Sequence, residues 1–215
     1  MAETKTSVLS LIHQGQNSEY FRELNWEGSF EEYLEIVQQN PRVTRTAFQR
    51  VYDMILACGK EEYSEYKRKI IRYNLFKDLP NSGRDAVYGL DIHLSKMVDI
   101  FKAAAHRYGT ERRVLLLHGP VGSSKSTIAR LIKKGLEEYS KTPEGALYTF
   151  NWTQVAQHHE SDGLRSSDDM PCPMHEEPLH LIPIEFGEQV LAELNRGRGH
   201  EYPVTIDGDL CPACR

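Results

Sequence analysis

Apolar positions recur at helical spacing twice early in the chain. Phe30, Tyr33, Leu34 and Val37 share one face, and Phe48, Val51, Ile55 and Cys58 form a second stripe. Ser29 and Glu32 make a capping box ahead of the first stripe, and Pro41 closes it. The second helix runs from about Thr46 to Gly59, with Cys58 on its buried side. Lys60 to Arg72 is densely charged and reads as an exposed helix whose Lys67-Arg68-Lys69 run is a solvated face. Residues before Gly28 are polar with scattered apolar positions. Together, residues 1–78 are expected to form a small α-helical region.

The pattern then changes. Asn81-Ser82-Gly83-Arg84-Asp85 is a turn-rich boundary. Asp91 is placed to cap a helix that turns Leu94, Val98, Phe101 and Ala105 inward. Residues 113–118, with Val114-Leu115-Leu116-Leu117, predict a buried strand, and residues 125–139 a helix with Ile128, Leu131, Ile132 and Leu136 on its core face. Thr142-Pro143-Glu144-Gly145 is a turn, Ala146 to Trp152 a second strand, and the polar, acidic residues 157–171 an exposed loop. Helix, strand, Gly-rich loop, helix, strand is the opening half of an α/β nucleotide-binding domain. Residues 79–215 are therefore assigned to an incomplete P-loop domain. After Trp152 there is no four-residue apolar run ending in Asp-Glu. The apolar density from Leu179 to Phe186 is broken by Pro178 and Pro183. Two parallel strands alone leave raw edges, so the chain is expected to be the N-terminal piece of a longer protein.

The loop between the predicted strand and helix reads Gly119-Pro120-Val121-Gly122-Ser123-Ser124-Lys125-Ser126, followed by Thr127. It matches G-x-x-x-x-G-K-[ST] except that Ser124 stands at the second fixed glycine. Backbone N–H groups of such a loop point at phosphates, and the helix N-terminus adds partial positive charge. Lys125 would reach the β- and γ-phosphates, and the Ser126 hydroxyl would ligate Mg²⁺. Serine at 124 keeps the amide donor but adds a Cβ where glycine lets the backbone approach phosphate. The plain alternative is a Gly/Ser turn joining strand to helix. Upstream, Val87-Tyr88-Gly89-Leu90 is consistent with a base-contacting segment or, more simply, a helix lead-in.

Composition narrows the setting. The 215 residues carry a net charge of −5, 40% hydrophobic and 27% charged positions. This fits a folded globular chain and offers no global signal for nucleic acid or an anionic membrane. No apolar run approaches membrane-helix length, and the start Met1-Ala2-Glu3-Thr4-Lys5 lacks signal-peptide features. A cytoplasmic location is expected, where cysteines are thiols or metal ligands. Cys172-Pro-Met-His175 and Cys211-Pro-Ala-Cys214 are two turns with paired ligands, the set expected to hold a structural Zn²⁺ within residues 170–215. Cys211 and Cys214 could instead be a redox pair, and His175 an ordinary surface histidine. His158, His159 and His180 are substitute ligands. No G-x-S-x-G elbow occurs, and Glu176-Glu177 reads as a solvated charge pair or as support for a metal ligand.

Several stretches resemble one family in order: Arg45 to Ile55, Tyr88-Gly89-Leu90-Asp91, Phe101-Lys102-Ala103-Ala104-Ala105, Leu115 to Gly122 before Lys125-Ser126, and Met174-His175-Glu176-Glu177-Pro178-Leu179. They resemble the N-terminal AAA domain of the bacterial PrkA serine protein kinases over most of residues 40–215. The resemblance implies a partial P-loop AAA+ fold, bound ATP and Mg²⁺, a protein substrate or client, and serine/threonine protein kinase activity in a longer chain. It carries Gly119, Gly122, Lys125 and Ser126 over as ATP contacts. The full contact set is Tyr88, Gly89, Gly119, Pro120, Val121, Gly122, Ser123, Ser124, Lys125, Ser126 and Thr127, with Lys125 as the catalytic charge stabiliser. No eukaryotic-type kinase signature occurs in these residues, and the remaining machinery is expected beyond Arg215. Two other readings stand beside the kinase: an AAA+ ATPase that drives remodelling or proteolysis of a client, and a non-catalytic nucleotide- and zinc-binding regulatory module. AAA+ modules often assemble into homo-oligomeric rings.

Overall fold

Helix α1, Phe30–Gln39, begins at the capping box read from sequence: the Ser29 amide donates to Glu32 Oε2 at 2.7 Å, and the Glu32 amide to Ser29 Oγ at 3.2 Å. The computed structural model describes residues 25–65, 67–153, 170–197 and 202–215. The 157–171 loop expectation, apart from Met170 and Pro171, lies outside these residues, as do His158 and His159. Helix α1 buries Tyr33 and Val37, and a 3-10 turn at Pro41–Thr44 follows it. Helix α2, Ala47–Ala57, buries Tyr52, Met54 and Ile55. Gln49 fastens it to the neighbouring helix by donating to the Ala105 carbonyl at 3.2 Å. Cys58 is exposed rather than on the buried stripe, because the helix stops at Ala57 and Cys58 becomes its C-cap.

The charged stretch expected to be helical is an antiparallel hairpin. Strand β1, Lys60–Glu65, pairs with β2, Arg68–Tyr73, from Lys60 opposite Tyr73 to Glu65 opposite Arg68. Lys67 takes a left-handed φ of 63° beside the turn. The hairpin is held by β2, which buries Ile70 and Tyr73, and by a polar clamp onto helix α3, Asp91–Ala105. Arg72 donates to both Asp91 oxygens, at 3.1 and 2.7 Å, and the Tyr63 hydroxyl donates to Oδ2 at 2.9 Å. Asp91 thus clamps the hairpin instead of capping its own helix. The Arg72 hydrogen bonds hold its carboxyl below the usual carboxylate range against the opposing cost of burial.

Helix α4, Lys125–Tyr139, crosses α2 with Ile128, Leu131 and Tyr139 buried. The crossing is close at Gly135, where a Cβ would lie 2.7 Å from Met54 Sδ and 2.8 Å from Leu75 Cδ1. Beyond it, β3 (Asn151–Trp152) pairs antiparallel with β4 (Met170–Pro171), so only the end of the expected 146–152 strand is paired. A 3-10 turn at Pro178–Leu181 leads into α5, Ile184–Leu194.

The main core combines Tyr52, Met54 and Ile55 of α2, Tyr73 and Phe76, Leu94 and Val98 of α3, and Ile128 and Leu131 of α4, so it draws on both sides of residue 78. A second cluster joins Tyr33 and Val37 of α1 to Leu179, Leu194 and Val204. A third is small: Phe150, Cys172 and Cys211, with Trp152, Leu181 and Leu210 against it. The described residues therefore build helices and two small antiparallel sheets, consistent with an α/β class. The expected buried strand at 113–118 is a correction. It has no regular secondary structure and pairs with no strand among the described residues, and Val114 is 95% and Leu116 79% exposed. An apolar strand is buried only when neighbouring strands pair with it and other elements cover its faces. No helix among the described residues is long and apolar enough to cross a membrane.

Candidate functional site

The glycine-rich loop sits between this apolar segment and the first turn of α4, whose buried face fixes the helix against the main core. Gly122 has φ +82° and Ser124 φ +56°, ψ +13°; these two left-handed residues bend the chain back before the helix. A Cβ at Gly119 would lie 2.8 Å from Ser123 Oγ, so that glycine allows the loop to close on itself. Ser123 Oγ donates to the Pro120 carbonyl at 2.8 Å. Ser124, the residue that departs from the motif, is the N-cap of α4; its side chain makes no capping hydrogen bond, while its carbonyl accepts the Ile128 amide at 2.8 Å. The amides of the first turn therefore have no side-chain cap and remain donors for an anion.

Lys125 folds over the loop. Its ammonium donates to the Gly119 carbonyl at 2.9 Å, the Pro120 carbonyl at 2.5 Å and Ser123 Oγ at 2.9 Å. The cation is held at the loop mouth by neutral acceptors, a bond set that an anionic ligand can replace with stronger charge-assisted ones. Val121 and Ser126 are exposed, and Thr127 is half-buried. The loop residues read from sequence, Gly119 to Thr127, are thus brought together. Ammonium, uncapped amides and the hydroxyls of Ser123, Ser126 and Thr127 form a donor set that fits a phosphate chain with its Mg²⁺.

Tyr88 and Gly89 lie on the lead-in to α3. Val87 is buried, its amide donating to the Phe76 carbonyl at 2.9 Å, while Tyr88 is 76% exposed and Gly89 has φ +74°. Beside them is a cavity of about 250 Å³, lined by Phe76, Val87 and Tyr88 with Arg72, Lys77 and Asp91. Val87 and Tyr88 belong to the segment read from sequence as a base-contact candidate; the rest of the cavity wall comes from the end of the hairpin and the residues after it, which the sequence pattern did not bring together.

The cysteine turns come together with one change of membership. One potential ligand atom from each of Cys172, Glu176, Cys211 and Cys214 lies within 4.8 Å of all the others. His175 is not among them and is exposed. Its left-handed φ of 49° swings the chain so that the next residue faces Cys172, the Glu176 amide donating to Cys172 Sγ at 3.5 Å. Glu176 Oε2 accepts the Cys211 amide at 2.9 Å. Burial opposes ionisation of Cys172, but the Glu176 and Met174 amides and the neighbouring thiols outweigh it and lower its pKa. The Trp152 indole favours the Cys214 thiolate, yet burial and the two other thiols push Cys214 up to about 11. The adjacent Glu177 reaches the second core cluster, where it accepts the Tyr33 hydroxyl; burial raises its carboxyl.

Two curated proteins are similar to this chain. A Bacillus subtilis (strain 168) protein named ATP-dependent protease PrkA is 36% identical over 206 residues, which cover 95% of this chain and 26% of that protein. The chain thus spans about a quarter of that relative's length. An uncharacterized protein in the gldA 5′ region of Geobacillus stearothermophilus is 37% identical over 92 residues, 42% of this chain and 84% of the relative. No solved structure matches significantly. An AAA domain implies binding of ATP and Mg²⁺, which the donor set of the loop suits. The model of the PrkA AAA domain matches residues 28–215, loop and cysteine turns included, and the chain belongs to that family.

Proposed function

We propose that this chain is the ATP-binding AAA module of a PrkA-type enzyme. The observation that carries the reading is the loop before α4: Lys125 drawn over a turn with left-handed residues at Gly122 and Ser124, ahead of uncapped helix amides. With ATP bound, Lys125 would exchange the Gly119 and Pro120 carbonyls for phosphate oxygens, and the Ser126 hydroxyl would be the Mg²⁺ ligand. The ion supplies charge neutralisation of the phosphates when bound. Tyr88 and Gly89 are read as the base contacts; in support, the cavity lined by Tyr88, Val87 and Phe76 offers an apolar wall with Arg72, Lys77 and Asp91 as polar groups.

The use of ATP is read as driving work on a protein client. The name of the Bacillus relative, an ATP-dependent protease, favours proteolysis. Phosphoryl transfer to a protein serine, which the family resemblance implies, is the second reading, with Lys125 stabilising charge on the transferred group. A cytoplasmic location and a homo-oligomeric assembly accompany either reading. ATP binding is tested by titrating a fluorescent ATP analogue into the 215-residue chain with Mg²⁺. Lys125→Ala should weaken binding by at least tenfold, the scale of a lost charge-assisted hydrogen bond. Unchanged affinity refutes the assignment. Radiolabelled γ-phosphate appearing on a client protein would select the kinase reading; ATP-dependent loss of the client without label would select proteolysis.

A further inference from the structure

The cluster of Cys172, Glu176, Cys211 and Cys214 is not used by the nucleotide reading. Its ligand atoms come from two parts of the chain: Cys172 follows β4, its amide donating to the Phe150 carbonyl at 3.1 Å, and Cys211 and Cys214 bracket a turn closed by the Cys214 amide donating to the Cys211 carbonyl at 3.0 Å. In tetrahedral zinc with bonds of about 2.3 Å to sulfur, ligand atoms lie roughly 3.8 Å apart. Cys172 Sγ and Glu176 Oε2 are already 3.7 Å apart, and all four atoms lie within 4.8 Å. A contraction of about 1 Å completes the tetrahedron.

Burial and charge point the same way. Cys172 is fully buried, Cys211 is buried, and the other two are half-buried. The nearby Arg215 is engaged by Asp209, and His180 Nδ1, 3.9 Å from Glu176 Oε1, is buried without a hydrogen-bond partner. The Trp152 indole N–H is buried and faces Cys214. A metal-bound thiolate is a stronger acceptor for that donor. A disulfide would leave an odd thiol in the same pocket, and all three cysteines are free.

We propose that Cys172, Cys211, Cys214 and Glu176 bind one Zn²⁺ in a closed site that fastens the 211–214 turn to the strand ending at Pro171. Sulfur-rich ligation selects zinc over magnesium or calcium, and four protein ligands leave no position for a reacting water, so the site is structural. Its need is local: the third core cluster is small and gains a cross-link where apolar burial is scarce.

The test uses the untagged 215-residue chain purified under reducing conditions without added metal. Metal analysis should give about one zinc per chain. Replacement by Co²⁺ should give the visible bands of tetrahedral thiolate coordination. Competition with a chromophoric chelator should show at least tenfold weaker zinc binding for Cys211→Ser, Cys214→Ser and Glu176→Gln, with His175→Ala unchanged. A variant that fails to fold is replaced as readout by thiol reactivity of the unmodified chain, which should rise for the three clustered cysteines when a chelator strips the metal. A metal-free chain that gives no cobalt spectrum overturns the site. Loss of zinc in His175→Ala with retention in Glu176→Gln overturns the ligand set.

Discussion

Ser124→Gly isolates the cost of the phosphate loop's departure from its motif. Ser124 holds φ +56° and ψ +13°, a left-handed conformation in which an L-residue's Cβ crowds the following carbonyl at a cost of about 1–2 kcal/mol. Glycine removes that cost but is freer in the unfolded chain, which offsets roughly 0.5–1 kcal/mol. A serine N-cap normally contributes through its side-chain oxygen, but Ser124 makes no such bond, so nothing is lost there. The net expectation is a gain of about 0.5–1 kcal/mol. Ser124→Ala is the control: it keeps the Cβ and the strain, and should stay within about 0.5 kcal/mol of the parent chain. Urea unfolding followed by far-ultraviolet circular dichroism reads both. If the glycine and alanine variants unfold at the same midpoint, left-handed strain at 124 does not limit stability, and the physical account of the loop given above fails. The glycine variant should also bind the ATP analogue at least as tightly as the parent, because the backbone can approach phosphate more closely.

Three further outcomes follow from other contacts. Gly135→Ala inserts a methyl against Met54 and Leu75, both buried at the α2–α4 crossing, and should cost about 1 kcal/mol despite alanine's better helix propensity; an equal or higher urea midpoint would contradict the close crossing. Asp91→Asn removes the negative charge and one of the two acceptor oxygens of the Arg72 clamp. Because the Asp91 carboxyl is depressed in the folded state, its contribution is present above the unfolded carboxylate range near pH 4 and is lost as pH falls through the folded value. The variant should be less stable at pH 7 by a few tenths to about 1 kcal/mol, the scale of a pair whose Arg72 head is partly exposed, and the difference should shrink on acidification; a difference that grows at low pH would refute the clamp. Glu177→Gln should change stability at pH 7 by less than about 1 kcal/mol: it removes the burial cost of the charge, since a raised carboxyl favours folding while protonated and that contribution is lost as pH rises through its folded value, but it leaves one carbonyl oxygen where the Tyr33 hydroxyl and the Leu179 amide each use one. A large loss of stability at pH 7 would show that the ionised carboxylate is required.

What was legible in the sequence was what a few adjacent residues decide. The Ser29–Glu32 box, the helix at 125–139 and the loop from Gly119 to Thr127 depend on local hydrogen bonds and spacing, and each stands where it was read. The charged stretch from Lys60 to Arg72 is a hairpin and not the expected helix because its stability is not local. Beyond the strand pairing itself, the hairpin is held by Ile70 and Tyr73 reaching the core and by Arg72 reaching Asp91, and no charge count reveals a partner nineteen positions away. The run at Val114–Leu117 shows the converse: four apolar residues state a preference for burial, but the covering strand must come from elsewhere, and none of the described residues supplies it. At the cysteine turns, spacing alone placed His175 as the fourth ligand. A regular turn would put a residue three positions on beside Cys172, but His175 adopts φ +49°, and that single rotation exposes its own ring and brings the carboxylate of Glu176 to the sulfurs instead. Ligand type can be read from spacing; which of two neighbouring side chains arrives depends on one backbone angle, and the contrast between Glu176→Gln and His175→Ala in zinc affinity measures that angle's consequence directly.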